Sequence, residues 1–298
     1  MEKRCCDLFM VGDIACIIGD DSDHGSGRVE YSGLWTLVSR HFIHTVFAPP
    51  FAGLIAGTHR GTRPTFTRIS ENQAGLYRSA TEKNPIESEA TFTLRPPQCI
   101  DYEYWFKLHA PVESPLGDYL ELSWCSYMNA VTDPAIYFIS RGVWVREYSP
   151  MHGYKAMFHP TSLDEEKREK RPIAEYKAMG KPIPFHWSPS DATFDLPFYY
   201  GRVHRMVLIF MFDKFWEWRF FMSPTGGGGN ALGPGYHNPA WDWSWVIKAP
   251  EVDRKYTCRI RLVYKPFISQ EDVLEEYKNW SYANRELLET CPLTKEKH

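Results

Sequence analysis

The stretch ATFTLRPPQCIDYEYWFKL, residues 90–108, decides the fold class. Ile100, Tyr102, Tyr104, Phe106 and Leu108 occupy alternate positions, and so do Ala90, Phe92 and Leu94. A period of two marks a half-buried β-strand, because successive side chains of a strand point to opposite faces. Pro96 and Pro97 break the chain between the two strands.

The same pattern extends outward from this pair. Tyr256, Cys258, Ile260, Leu262 and Tyr264 fall on one side of residues 256–264, with Thr257, Arg259, Arg261 and Val263 on the other. Residues 206–212, MVLIFMF, are apolar without interruption, which predicts a strand covered on both faces. Asp213 and Lys214 read as a turn, and Trp216, Trp218, Phe220 and Met222 resume the alternation, so a long central hairpin is expected here. Leu8 to Ile18 read as the first strand. Helical signals are few. Ser162 with Glu165 is a capping box at the start of a surface excursion over about 162–184, which Pro172 interrupts. A second helix is expected over about 271–288, with Val273, Tyr277, Trp280 and Leu287 facing the body. The expected architecture is an all-β protein, a large antiparallel β-sandwich closed by a C-terminal helix, over residues 1–298 as one domain. A concanavalin-like jelly roll is the alternative arrangement of the same strands.

Composition limits the functions on offer. The 298 residues carry 34 Lys and Arg against 37 Asp and Glu, for a net charge of −3. A surface that tracks phosphates needs a basic excess, so nucleic acid is not an expected partner. No run of 18 apolar residues occurs, so no membrane helix is expected. Asp13 interrupts the apolar run near the start, which argues against a secretory leader. Seven scattered Cys without a CxxC pair fit reduced thiols and a cytoplasmic protein. A homo-oligomer is compatible with all of this. Aromatic residues, 15% of the chain, fit a β core, and their faces also stack on sugar rings.

Three segments carry candidate chemistry. In HNPAWDWSW, residues 237–245, Trp241, Trp243 and Trp245 share one face of a strand, and Asp242 and Ser244 share the other. Three indoles in a row form either a slab of core or a stacking platform. The Gly-rich run at 226–229 just before them raises the second reading, with His237 and Asn238 at its edge. In FYYGRVHR, residues 198–205, Tyr199 and Tyr200 can hold a ring, Arg202 can clamp a carboxylate or a pair of hydroxyls, and His204 can transfer protons. In the third, His152 and His159 are spaced to converge across a loop or hairpin. Either can act as a general acid or base, or join His59 in holding a divalent metal ion. Glu103, Glu121, Asp195 and Asp242 are the carboxylates available for a glycosidase-type pair. The motifs GxSxG, HExxH, GxGxxG and the P-loop are absent.

Several segments together resemble an uncharacterised family of bacterial β-sandwich proteins. They are VGDIACIIGDDSDH (11–24), YSGLWTL (31–37), FTLRPPQCIDYEYWF (92–106), SPMHG with His159, PFYYGRVHRMVLIFMFD (197–213), SPTGGGGN, NPAWDWSWVI and YTCRIRLVYKPF. More distantly, the order of elements resembles the supersandwich of galactose mutarotase-like proteins. That resemblance implies acid/base work on a sugar by a His and a carboxylate in an open sheet groove. His152, His159 or His204 would then be the His and Asp242 the carboxylate. The expectation is a carbohydrate-active epimerase, lyase or hydrolase using His-based or metal-assisted chemistry. A non-catalytic carbohydrate-binding protein built on the aromatic platform is the alternative.

Overall fold

The alternating segments pair into two nine-stranded sheets packed face to face. In the computed structural model, residues 4–20, 32–48, 53–57, 64–112, 119–148, 156–161, 192–223 and 235–284 are described. The first sheet runs from edge to edge as β1 (Cys6–Val11), β2 (Ile14–Gly19), β3 (Gly33–Ser39), β4 (Gly53–Gly57), β9 (Tyr119–Cys125), β17 (Ala240–Lys248), β16 (Trp218–Ser223), β12 (Ala156–Pro160) and β13 (Thr193–Phe194). The second runs as β11 (Val143–Glu147), β10 (Ile136–Ser140), β14 (Phe198–Val203), β15 (Met206–Phe212), β18 (Lys255–Pro266), β8 (Cys99–Leu108), β7 (Ile86–Arg95), β6 (Gln73–Arg78) and β5 (Thr65–Arg68). Pairing is antiparallel throughout, apart from β12 with β13. The chain is the large antiparallel sandwich that the period-two segments predict.

Alternation decides what fills the space between the sheets. Phe92, Leu94, Ile100, Tyr102, Tyr104, Phe106, Cys258, Ile260, Leu262 and Tyr264 all enter one continuous core with Trp124, Trp218, Trp243 and Trp245 from the facing sheet. Trp124 and Trp243 stack at 5.6 Å between ring centroids, and Trp218 meets Trp243 edge-on at 5.3 Å. Burial of such rings is the largest favourable contribution to a sandwich of this kind.

The uninterrupted apolar run 206–212 is β15, buried along its whole length as its composition requires. Met206, Leu208, Phe210 and Phe212 join the inter-sheet core, while Val207, Ile209 and Met211 face a second cluster under the C-terminal helix. That helix, α1 (Gln270–Ala283), begins at Ser269, whose side chain accepts from the Asp272 amide. It buries Val273, Tyr277 and Trp280 against the second sheet, and Lys265 of β18 reaches Asp272 and Glu276 at 3.0 and 2.6 Å. The expected helix over 271–288 is therefore present as far as it is described, since residues beyond 284 lie outside the described set. The expected excursion over 162–184 also lies outside it.

Two local expectations need correction. Leu8 to Ile18 form two strands, β1 and β2, joined at Gly12 and Asp13. Gly12 has φ +58, and a Cβ there would sit 2.5 Å from the Pro97 carbonyl oxygen, so only glycine turns tightly enough beneath that neighbour. The expected central hairpin does not form either. β15 lies in the second sheet and β16 in the first, and residues 213–217 carry the chain across the core from one to the other. Alternation survives that crossing unchanged: Phe212 meets Trp218 at 4.8 Å and Phe220 at 5.5 Å across the sandwich. Among the described residues, Cys5, Cys6, Cys16, Cys99 and Cys258 are free thiols. No helix of the described residues is long and apolar enough to cross a membrane.

Candidate functional site

β17 lies beside the central strand of the first sheet, and eight of its nine residues, from Ala240 to Ile247, are buried. Its inward side is apolar, with Trp241, Trp243, Trp245 and Ile247 all in the core. Its outward side carries Asp242 and Ser244, which are buried as well, at 5% and 1% exposure. Burying polar groups is costly unless they meet partners, so the outer face of this sheet is where chemistry is to be sought.

The register aligns these groups across strands. Arg219 of β16 pairs with Ser244, and Ser244 pairs with Ser123 of β9. On the other flank β12 pairs Phe158 with Phe220, and one further step of the antiparallel register brings His159 beside Arg219. Phe158 and Phe220 enter the core, so His159 and Arg219 project outward. The result is a transverse row, His159, Arg219, Ser244 and Ser123, crossing four strands. Glu121 of β9 leans into it: Ser244 Oγ donates to Glu121 Oε1 at 2.6 Å, and Ser123 Oγ lies 2.9 Å from Ser244 Oγ and 3.2 Å from the same carboxylate oxygen. Asp242, one pleat along, turns away and accepts from the Ser126 amide at 2.7 Å. Glu121 and Asp242 thus do not face each other across one gap, as a glycosidase pair would.

Arg219 is the unusual member. Its residue is 6% exposed, and its Nη1 donates to the carbonyls of Trp216 and Trp218 at 2.9 and 2.6 Å. Its Nε–H has no hydrogen-bond partner among the described residues. Burial draws its pKa down from the ordinary arginine value to about 10, against the smaller opposing pull of Tyr119 and Glu121. His159, at 0% exposure, closes the buried end of the row, while Ser123 and Glu121 are half-buried at the other.

The remaining candidates disperse. Trp241 and Trp243 lie inside the sandwich at 0% and 1% exposure, so they form the core slab rather than a stacking platform. Tyr199 faces the same core, and its hydroxyl donates to the carbonyls of Trp241 and Asp242 at 3.1 and 3.2 Å. Tyr200 and Arg202 alternate to the opposite face of β14, where Gln270 donates to the Tyr200 hydroxyl and the Arg202 guanidinium lies 3.6 Å over Phe267. They dock the helix rather than hold a ring.

His204 sits in the turn between β14 and β15 with φ +55, among Phe42, His44 and Tyr236. Burial, then the nearby His44 imidazole, hold its pKa below the ordinary histidine value, against a backbone hydrogen bond at Ala130. His237 bridges Val131 through its backbone, and Asn238 Oδ1 accepts from the Ala130 amide at 2.9 Å. These three residues gather at one end of the sandwich, away from the polar row. Of the sequence candidates, then, His159, Asp242 and Glu121 share the outer face of the first sheet.

His59 and His152 lie outside the described residues, so the metal-holding set that includes His159 does too. Among the described residues no three His, Cys, Asp or Glu side chains gather as ligands. Arg219, Ser123 and Ser244 were not among the candidates. The signal for them was present: with Trp218, Phe220 and Met222 inward, Arg219 must face outward.

No family model matches the sequence, and no curated protein does either. The resemblance to a bacterial β-sandwich family therefore gains no support from sequence. Solved structures of similar shape include several that are remote in sequence. A candidate aldose 1-epimerase from Escherichia coli K12 shares 9% identity, with 88% of this chain and 99% of that one covered and a TM-score of 0.44. A GalM/aldose epimerase homologue from C. elegans shares 9% identity over 88% of this chain and all of the other, with a TM-score of 0.47. The heparan sulfate lyase HepC from Pedobacter heparinus shares 3% identity over 86% of this chain and 34% of that one, with a TM-score of 0.46.

Proposed function

We propose that this protein is a carbohydrate-active enzyme whose reaction centre is the polar row on the outer face of the first sheet. One observation carries the reading: an imidazole, a guanidinium, two hydroxyls and a carboxylate lie in line on a buried sheet face. In this reading His159 is the base. It removes a proton from a sugar carbon beside a carbonyl or carboxylate, and the electron pair moves onto that oxygen. Arg219 stabilises the resulting negative charge in a site shielded from water. Glu121, steered by Ser123 and Ser244, handles the second proton. Return of a proton to the opposite face of the carbon is epimerisation. Departure of a group from the next carbon, taking a proton as it leaves, is elimination.

The non-catalytic alternative needed an exposed aromatic platform, and the three indoles of β17 are in the core. Glu121 and Asp242 turn apart, so this pair does not support hydrolysis by opposed carboxylates.

The test is exchange in heavy water. The purified protein is incubated with a panel of aldoses, ketoses, uronates and uronate oligosaccharides, and NMR follows deuterium uptake at carbon and new unsaturation. With a substrate found, His159→Ala is expected to lower the rate by about 10²–10⁴-fold, the usual contribution of a positioned general base. His204→Ala, at the end of the sandwich, is expected to leave it unchanged. Wild-type rates in a folded His159→Ala variant would remove this centre, and a loss confined to His204→Ala would move it elsewhere.

A further inference from the structure

We infer that the sugar bound at this row carries a carboxylate, as a uronate or another sugar acid does, and that Arg219 is the residue that recognises it. The inference rests on the sugar-handling reading above and narrows its substrate class. Its basis is the state of Arg219. The guanidinium is taken out of water, yet no carboxylate pairs with it among the described residues. Glu121 is the acidic group nearest in the row, and it is held by the hydroxyls of Ser244 and Ser123 instead.

A buried charge without a counter-charge is expensive, and removing the partner of a buried pair costs several kcal/mol. Carbonyls of Trp216 and Trp218 take one edge of the guanidinium. The Nε–H on the other side has no partner among the described residues. A guanidinium with a free Nε edge offers a planar donor pair that a carboxylate accepts side-on. A neutral sugar hydroxyl can take one hydrogen bond there but supplies no charge.

The rest of the row selects among anions. Glu121 is a second acidic group in the same row, so a phosphate monoester, carrying about two charges, is disfavoured there more strongly than a singly charged carboxylate. His159 stands beside Arg219, so a carboxylate on the guanidinium brings its neighbouring carbon, the acidic C–H of a sugar acid, toward the imidazole. Recognition and proton transfer then follow from one placement.

The test is calorimetric titration of the full-length protein with matched ligands. Glucuronate and galacturonate are compared with glucose, galactose and glucose 6-sulfate, and trigalacturonate with maltotriose. The wild type is compared with Arg219→Lys and Arg219→Gln, each checked for folding by circular dichroism. Expected is binding of the acidic sugars about tenfold or more tighter than the neutral ones, erased in Arg219→Gln and partly kept in Arg219→Lys, which retains the charge but not the fork. Equal binding of acidic and neutral sugars by the wild type overturns this inference and leaves the sugar-handling reading standing. Equal binding of the sulfate ester overturns the carboxylate assignment. No binding of any sugar overturns both. Should Arg219→Gln fail to fold, Arg219→Lys decides the residue: undiminished preference for the acidic sugars in that variant overturns the assignment to the Arg219 fork.

Discussion

Raising the pH from 5 to 8 should weaken this fold by roughly 2–3 kcal/mol through one carboxyl group, Asp213. Asp213 sits where the chain leaves β15 to cross the core, and it is 2% exposed. One carboxyl oxygen accepts from the Arg259 amide at 2.8 Å, and the other has no partner among the described residues. Burial pushes its pKa up from 3.8 to about 7, opposed by Lys214 and the Arg259 amide and reinforced by Glu217. In the unfolded chain it ionises near 3.8. Between those values the folded protein keeps a proton that the unfolded chain has lost, so stability falls as pH rises. At 1.36 kcal/mol per pKa unit the full penalty is roughly 4 kcal/mol above pH 7, of which roughly 1–2 kcal/mol is already present at pH 5. Asp213→Asn keeps an acceptor for the Arg259 amide and cannot ionise. Its new amide N–H groups find no acceptor at the orphaned position, which costs about 1–3 kcal/mol at every pH and so leaves the slope untouched. Urea unfolding, followed by tryptophan fluorescence at half-unit steps from pH 5 to 8, measures both profiles. The difference between them isolates Asp213 from His204 and from Cys258, the buried thiol beside it. A wild-type curve with the same slope as the Asn variant would refute the reasoning.

Two further perturbations test the packing that positions the site. Gly201→Ala places a Cβ 2.4 Å from the Trp241 ring, in a core where both neighbours are held by strands, and should cost about 1–3 kcal/mol or more; thermal unfolding equal to wild type would mean that the β17 indoles have room to shift. Ser269→Ala removes the hydrogen bond to the Asp272 amide at 3.2 Å and should cost about 1 kcal/mol, read by urea midpoint; no change would mean that α1 is held by its docking face and by Lys265 alone.

Much of the fold was legible because period-two patterning survives every tertiary context. The inward faces of β7, β8, β17 and β18 follow directly from their residues. What alternation does not encode is which sheet a strand joins. Residues 206–212 and 218–223 alternate like a hairpin whether or not they pair, and only the aromatic contacts of Phe212 show that they meet across the core. The site was less legible for a related reason. Alternation separates Trp241 and Trp243 from Asp242 and Ser244, but it does not say which of the two faces is the core. Tyr199 and Tyr200 are adjacent in sequence and opposite in space, one against Trp241 and the other under α1. Reading them as one ring-holding pair contradicted the geometry of a strand.

The two strands buried on both faces show why the polar row calls for a functional explanation. β15 and β17 occupy equivalent central places in their sheets, and both are shielded from water outside as well as inside. β15 meets that demand with Val207, Ile209 and Met211 against Val273 and Tyr277, an apolar layer in which every buried atom contributes. β17 meets it with Asp242 and Ser244, next to Arg219, Ser123 and His159. Packing alone would select the first solution in both sheets, since polar side chains in a shielded layer gain at best a small net stabilisation even when hydrogen-bonded. The orphaned Nε–H of Arg219 goes further, because it is a cost with no structural return. Arg202 on the outer face of the second sheet also keeps an unpartnered Nε–H, but it lies over Phe267 beside α1, whereas Arg219 stands in line with an imidazole, two hydroxyls and a carboxylate, and that company is what the proposed function explains. The chemistry of the row, cationic and shielded at one end and carboxylate-bearing and half-open at the other, is what an anionic sugar would meet on entering it.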